Sequence, residues 1–448
     1  MKHTDGVVLS SSFERGGCMA SLVINGGRRL NGSIVAQGSK NSALPILAAT
    51  YLVSGKSVIH NCPRLSDVES TLKILENLGC KVSREGNDLV VDSTNAYGYE
   101  IPEKLMREMR SSVIFLGAII AKTGKAVIST PGGCEIGLRP IDLHLFAMRK
   151  LGVNICEEYG RLECDANENL RGTKITLTFP SVGATENALL AASTAEGTTT
   201  IINAAREPEI VDLCEFLNKC GAKIYGGGES IIVVEGVKKL HGAEHSVICD
   251  RIAAATYLFA GAVTRGDISV KNTVPSHLGA ILPILEETGC EVSVRCSEIR
   301  LKAPSRLHRI DKLITQPYPG FPTDAQSPIM TLATIAEGTS VIVENIFESR
   351  FKHVPELVRM GAKIRTAGRV AVIEGVDRLY GANVVSPDLR GGSALVLAGL
   401  SAVGVTEVSA IKHIDRGYEN FETNLCMINA DVVRMEDKNG STKEKQFI

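Results

Sequence analysis

At 448 residues the chain is too long for one ordinary core, so two domains are expected. An apolar fraction of 44% and a charged fraction of 22% are those of a globular protein, while a formal net charge of −1 excludes nucleic-acid or membrane-surface binding by bulk electrostatics. The longest apolar runs are too short to span a bilayer, so any anionic partner must be caught locally.

Residues 1–18 lack the long apolar segment of a signal peptide and are expected to form a disordered extension, with Met19 as an alternative start. The 12 cysteines show neither C-x-x-C pairs nor zinc-type spacing. Neither a disulfide framework nor a metal site is expected, and a reducing cytosol fits that pattern.

From there the chain repeats itself. A helix end, a glycine and the opening of a strand recur at Gly79, Gly152, Gly221, Gly289 and Gly361, with a weaker sixth copy at Asn429. Gly or Asn at these points suits a left-handed C-cap, and the β-branched residues that follow suit strands. A second series of turn glycines, Gly55, Gly124, Gly197, Gly266, Gly338 and Gly404, marches in step with the first. The period of about seventy residues exceeds that of common solenoids, so each of the six units is a small α/β subdomain.

Just before each turn glycine lies a segment that is apolar nearly all round: 42–52, 112–121, 184–195, 252–263, 329–336 and 393–402. A helix without a polar face must be buried, so each domain should enclose three such helices, with sheets and amphipathic helices outside. One amphipathic helix, over 66–78, carries Ser66 and Glu69 in the pattern of a capping box.

The starts of the six apolar helices differ from their middles. There stand Lys40 and Asn41, Arg110, Ser181 to Gly183, Asp250 and Arg251, Thr323 and Asp324, and Asp388 to Arg390. Polar and basic groups at one phase of six buried helices suggest N-termini converging on a cleft, where free N–H groups attract phosphates and carboxylates. Asp324 reads as an N-cap and as a carboxylate held for general-base work, two roles that do not exclude each other.

Loops entering the amphipathic helices are the second source of chemistry. Cys134 sits among Gly132, Gly133 and Gly137 with Arg139 close by, and a thiol near cations loses its proton more easily. Corresponding loops hold Arg350 in the fifth unit and Arg416 in the sixth. Glu207 and Glu209 read as helix-start residues complementing a dipole.

Several of these segments occur together in one family. From about Leu22 to about Val433 the chain resembles the UDP-sugar branch of the enolpyruvyl transferase family. The matching segments include 38–45, 109–112, 131–144, 180–187, 205–209, 321–324, 354–357 and 413–419. The resemblance implies an α/β fold of two inside-out α/β barrel domains, each of three repeated strand–helix units. One domain would be continuous over 41–248; the other would join 19–40 to 249–448.

The same resemblance implies transfer of the enolpyruvyl group of phosphoenolpyruvate to the 3′-hydroxyl of UDP-N-acetylglucosamine, early in peptidoglycan synthesis, in the cytoplasm. Phosphoenolpyruvate would be held by Lys40, Asn41, Arg139 and Arg416. The UDP-sugar would be held by Arg110, Arg139, Pro140, Ile141, Asp142, Leu143, His144, Ser181, Val182, Gly183, Asp324 and Ile346. Cys134, Asp324, Lys40, Asp388 and Arg416 would carry catalysis, with Arg350 and Arg390 completing the charged lining. No metal, organic cofactor, nucleic acid or membrane partner is implied, and nothing in the pattern speaks to oligomeric state. The chain departs from the family at Ala253, Ala255, Ser349, Gly391, Gly392 and Asn429. The changes near Ala253 and Asn429 leave one alternative, a UDP-sugar-binding paralogue that does not turn over. The shikimate-pathway transferase of the same fold is another, against which the Cys134-bearing loop over 131–139 argues.

Overall fold

The computed structural model describes residues 20–129, 141–166 and 170–436. Its buried apolar residues fall into two clusters. One runs from Ala43 to Val247; the other combines Leu22 to Ala36 with Cys249 to Val432. These are the two lobes.

Each lobe is built around three helices that hide nearly every residue. In the first they are Lys40–Leu52, Phe115–Thr123 and Val182–Ala192; in the second, Arg251–Val263, Gln326–Thr334 and Leu389–Ser401. All six coincide closely with the six apolar segments. Within a lobe the three pack on one another, which is how helices lacking a polar face escape water.

Six small sheets lie outside these helices, five of four strands and one of three among the described residues. The five four-stranded sheets follow one plan, and in the three-stranded one a single parallel bridge, Glu100 to Val127, stands where the edge strand would pair. The strand after the turn glycine, such as Lys56–His60, pairs parallel with an edge strand on one side and antiparallel with a hairpin strand on the other. In the first lobe the edge strand of the first unit is Glu244–Ser246, from the far end of that lobe, so the ring of three units closes on itself.

The second lobe closes with the start of the chain. Asn31–Val35 supplies the edge strand beside Asp267–Lys271. Ser21–Asn25 lies between Val405–Ser409 and Val432–Met435, in the place that a local hairpin strand takes in the other units. Leu22 and Ile24 point inward from it and are fully buried.

The punctuation follows the sequence. Gly79, Gly152, Gly221, Gly289, Gly361 and Asn429 all have positive φ, between 76° and 99°. Only the capping box fails. Ser66 is already inside the helix Ser66–Asn77; its N-cap is the buried, extended Leu65, which makes no side-chain cap. Glu69 turns away to an ion pair with Arg84 at 3.0 Å. Leu65 wins the cap position because its side chain enters the core, where a serine would gain only one hydrogen bond.

Two short segments connect the lobes and bind each other. Ser39 N donates to the Ile248 carbonyl and Asp250 N to the Gln37 carbonyl, both at 2.8 Å, with Gly38 bridged to Cys249. A Cβ on Gly38 would lie 1.8 Å from the Asn61 carbonyl oxygen, so only glycine fits this crossing. The segments emerge at Lys40 and Arg251, so two of the six buried helices begin where the lobes join.

Candidate active site

Four buried helices bring their N-terminal ends together at this junction. Ser39 caps Lys40–Leu52, its Oγ accepting from Ser42 N at 3.4 Å. Asp250 caps Arg251–Val263 through Ile252 N and Ala253 N, both at 2.9 Å, and its other oxygen accepts from Lys40 N at 3.4 Å. Asp388 caps Leu389–Ser401 through Arg390 N and Gly391 N at 3.0 Å. Its Oδ2 is buried and has no hydrogen-bond partner among the described residues.

The fourth helix, Gln326–Thr334, is entered through a 3-10 turn, Thr323–Ala325. Asp324 lies inside that turn, and the N-cap positions of the turn and of the helix belong to Pro322 and Ala325. Its carboxylate accepts instead from Arg350 Nη2 at 2.8 Å and Arg390 Nη2 at 3.4 Å. Of its two sequence readings, the cap is therefore excluded. Asn41, from the other lobe, reaches the same carboxylate at 3.5 Å.

Both arginines are buried and oriented by further bonds. Arg350 also donates to the Thr323 carbonyl at 3.1 Å, and Arg390 to the Tyr418 hydroxyl at 3.0 Å. Guanidinium groups held by two partners each are preorganised for carboxylate or phosphate oxygens. Glu344, fully buried, ties this corner to the next loop: it accepts from Thr323 Oγ1 at 3.0 Å, Ile346 N at 2.8 Å and Phe347 N at 3.0 Å.

Lys40 and Arg416 meet over one buried carboxylate, Asp67, which no local sequence pattern singles out. Lys40 Nζ lies 3.1 Å from Asp67 Oδ2, and Arg416 Nε lies 2.8 Å from Asp67 Oδ1. Burial pushes the Lys40 ammonium below the usual lysine range, with Asp67 opposing that shift. Burial would raise the Asp67 carboxyl, but Lys40 and Arg416 overcome it and hold the group below its ordinary value.

A second region faces the start of Val182–Ala192, which Ser181 caps through Ala184 N at 3.4 Å. His144 is buried against it. Asn187 Oδ1 accepts from Gly117 N at 2.6 Å, which fixes its amide as donor to the Val113 carbonyl at 3.0 Å and to His144 Nδ1 at 2.7 Å. His144 Nδ1 must therefore accept, and the ring carries its proton on Nε2. A Cβ on Gly183 would come within 2.8 Å of His144 Cε1, so glycine is what lets the imidazole lie on the helix end. Ile141 occupies the N-cap position of the neighbouring helix Asp142–Lys150 without a side-chain cap, and Asp142 is exposed and Leu143 half-buried.

Between the two regions Arg251 forms a buried bidentate pair with Glu209 at 3.0 and 3.3 Å, linking the lobes, and Tyr318 stacks on its guanidinium. Glu209 thus does more than complement a dipole. Burial, with Glu209 and Glu207 nearby, pushes the Glu186 carboxyl up to about 8.

Asn41, Asp324, Arg350, Arg390 and Asp388 form one group of bonds and Lys40 and Arg416 another on Asp67, the two meeting at the Lys40–Asn41 peptide. His144, Ser181, Val182 and Gly183 form the neighbouring group, and Ile346 is tied to the Asp324 corner through Glu344. Cys134, Arg139 and Pro140 lie outside the described residues, as does the side chain of Arg110. Among the departures, Ala253 and Ala255 are fully buried inside their helix. At Gly392 a Cβ would meet the Ser386 hydroxyl at 2.2 Å, so that serine fills the space a larger residue would need.

An α/β chain of six repeated units, with helix ends, arginines and a carboxylate gathered between two lobes, has the architecture of a carboxyvinyl transferase. The chain belongs to the enolpyruvyl transferase family: residues 24–425 match the family model described as EPSP synthase (3-phosphoshikimate 1-carboxyvinyltransferase). It is 55% identical, over 93% of its length and all of the relative's, to UDP-N-acetylglucosamine 1-carboxyvinyltransferase 2 of Caldanaerobacter subterraneus subsp. tengcongensis. It is 50% identical to UDP-N-acetylglucosamine 1-carboxyvinyltransferase 1 of Symbiobacterium thermophilum, over 92% of this chain and 95% of that one. Among solved structures, the enolpyruvyl transferase NikO from Streptomyces tendae superposes with a TM-score of 0.84 at 25% identity, covering 93% of this chain and 99% of its own.

Proposed function

We propose that this chain transfers the enolpyruvyl group of phosphoenolpyruvate to the 3′-hydroxyl of UDP-N-acetylglucosamine with release of phosphate, the first committed step of peptidoglycan synthesis. The observation that carries this reading is the contact of Asn41 with Asp324 across the lobe junction, which joins an anion-attracting helix end to a carboxylate. The names of relatives half-identical along nearly their whole length support the UDP-sugar over shikimate as acceptor, and catalysis over a silent paralogue.

In this reading Lys40, Asn41, Arg139 and Arg416 hold the phosphate and carboxylate of phosphoenolpyruvate. The UDP-sugar lies along Arg110, 139–144, 181–183 and Ile346. Its diphosphate sits at the serine-capped end of Val182–Ala192, where free N–H groups favour negative charge. The sugar oxygen attacks C2 of phosphoenolpyruvate while its proton passes to Asp324 and C3 gains a proton, with the Cys134 thiol as the acid. The result is a tetrahedral ketal phosphate. C3 then loses a proton, the C2–O bond to phosphate breaks and the double bond returns. Asp388, Arg350 and Arg390 keep Asp324 in place and balance charge as the phosphate departs.

The division into 41–248 and 19–40 plus 249–448 belongs to the same reading, supported by the two separate cores. A reducing cytoplasm suits the free cysteines among the described residues. A phosphate-release assay tests the proposal. Release should require both substrates and fall sharply in Cys134→Ala, and the epoxide fosfomycin should alkylate Cys134. Phosphate release indifferent to UDP-N-acetylglucosamine would refute the reading.

A further inference from the structure

The proposed phosphoenolpyruvate site contains a carboxylate of its own, and the inference drawn from it rests on that reading of the site. Asp67 stands in the first turn of Ser66–Asn77, with only 3% of its surface exposed. It accepts from both lobes: Oδ2 from Lys40 at 3.1 Å, at the start of the first buried helix, and Oδ1 from Arg416 Nε at 2.8 Å, from the second lobe, with Arg416 Nη2 also reaching Oδ2 at 3.5 Å. Lys40 and Arg416 are two of the cations proposed to hold the phosphorylated substrate.

A negative charge already seated between these cations has two effects of opposite sign. It fixes their positions, since two buried or half-buried cations with no anion between them repel each other. It also opposes any further anion, because an arriving phosphate must share the same N–H donors and lies near a like charge. The first effect favours turnover through preorganisation; the second weakens the hold on substrate and on released phosphate alike.

We infer that Asp67 is a positioning residue that acts as an internal counter-ion: it aligns Lys40 and Arg416 for phosphoenolpyruvate and keeps inorganic phosphate from being trapped there after the reaction. Removing its charge should tighten phosphate binding while slowing turnover. A merely structural role gives the opposite pattern, with weakened binding and lowered activity together.

The test compares the full-length parent with Asp67→Asn and Asp67→Glu, using inorganic phosphate and phosphoenolpyruvate as probes in calorimetry, beside steady-state phosphate release. Asp67→Asn should bind inorganic phosphate about tenfold more tightly, as relief of a screened like-charge contact would give. Its KM for phosphoenolpyruvate should fall and its kcat should fall further. Asp67→Glu keeps the charge and should bind phosphate within about twofold of the parent. If Asp67→Asn folds poorly in chloride, recovery of the folded protein in phosphate buffer supports the inference, and failure in both buffers contradicts it. Equal or weaker phosphate binding by a folded Asp67→Asn also overturns it. A parent that binds neither phosphate nor phosphoenolpyruvate would instead refute the proposed function.

Discussion

The two lobes start their buried helices differently. In the first, Ser39 and Ser181 cap with neutral hydroxyls at 3.4 Å, although the Ser39 end also meets the Asp250 carboxylate through Lys40 N at 3.4 Å. In the second, Asp250 and Asp388 cap with carboxylates at 2.9–3.0 Å, each followed within two residues by a buried arginine, Arg251 or Arg390. In each lobe the third such helix follows a 3-10 turn, Arg110–Ile114 or Thr323–Ala325. A serine cap adds no charge to a helix end, whereas an aspartate cap neutralises it and holds a fixed charge in place. In the proposed function the Ser181 end of the first lobe grips the diphosphate, and the second lobe supports Asp324 through Arg350 and Arg390.

This contrast breaks most visibly at Asp324. Asp324→Asn keeps the shape of the corner but removes the proton acceptor, so kcat should fall about a thousandfold with UDP-sugar affinity little changed. A fall in affinity without loss of kcat would place Asp324 on the gripping side instead.

The caps themselves should differ next. Asp388→Ala removes two short bonds and should cost about 2 kcal/mol of stability, whereas Ser181→Ala removes one long one and should cost about 0.5 kcal/mol. Denaturant titration of both variants measures the difference. Ser181→Ala should show its effect in the KM for UDP-N-acetylglucosamine, and Asp388→Ala in kcat.

The smallest effect concerns Glu186. Its folded carboxyl titrates near about 8 against an ordinary 4.5, because burial disfavours the charge. Between those values the folded state keeps a proton that the unfolded chain has lost, so stability declines as pH rises from 4.5 to about 8. Glu186→Gln should raise the Tm by about 3 °C at pH 8 and by almost nothing at pH 4.5. An equal gain at both pH values would mean that Glu186 is not held protonated.

Much of this architecture is legible in the sequence because it is local and repeated. Six helix ends announce themselves by glycine or asparagine, and Asn429, the weakest copy, adopts φ 76° like its five counterparts. Six apolar runs become six buried helices, and the polar residues at four of their starts do meet. What escapes is what depends on distant partners. Asp67 looks like an ordinary first-turn acid, and its partner Arg416 is hundreds of residues away, although both belong to the same phase of the repeat. Glu344 and Asn187 sit inside strand and helix patterns, and only the fold shows which loops they fix. Nor does any local signal reveal that Ser21–Asn25 completes the last sheet, because strand pairing is set by closure of the lobe.

The most direct measurement is a crystal structure of the protein with UDP-N-acetylglucosamine bound. The account predicts the diphosphate within hydrogen-bond reach of the Val182 and Gly183 N–H groups, with the sugar 3′-hydroxyl facing Asp324. A diphosphate seated on the Asp250 or Asp388 ends, with the sugar directed away from Asp324, would contradict it.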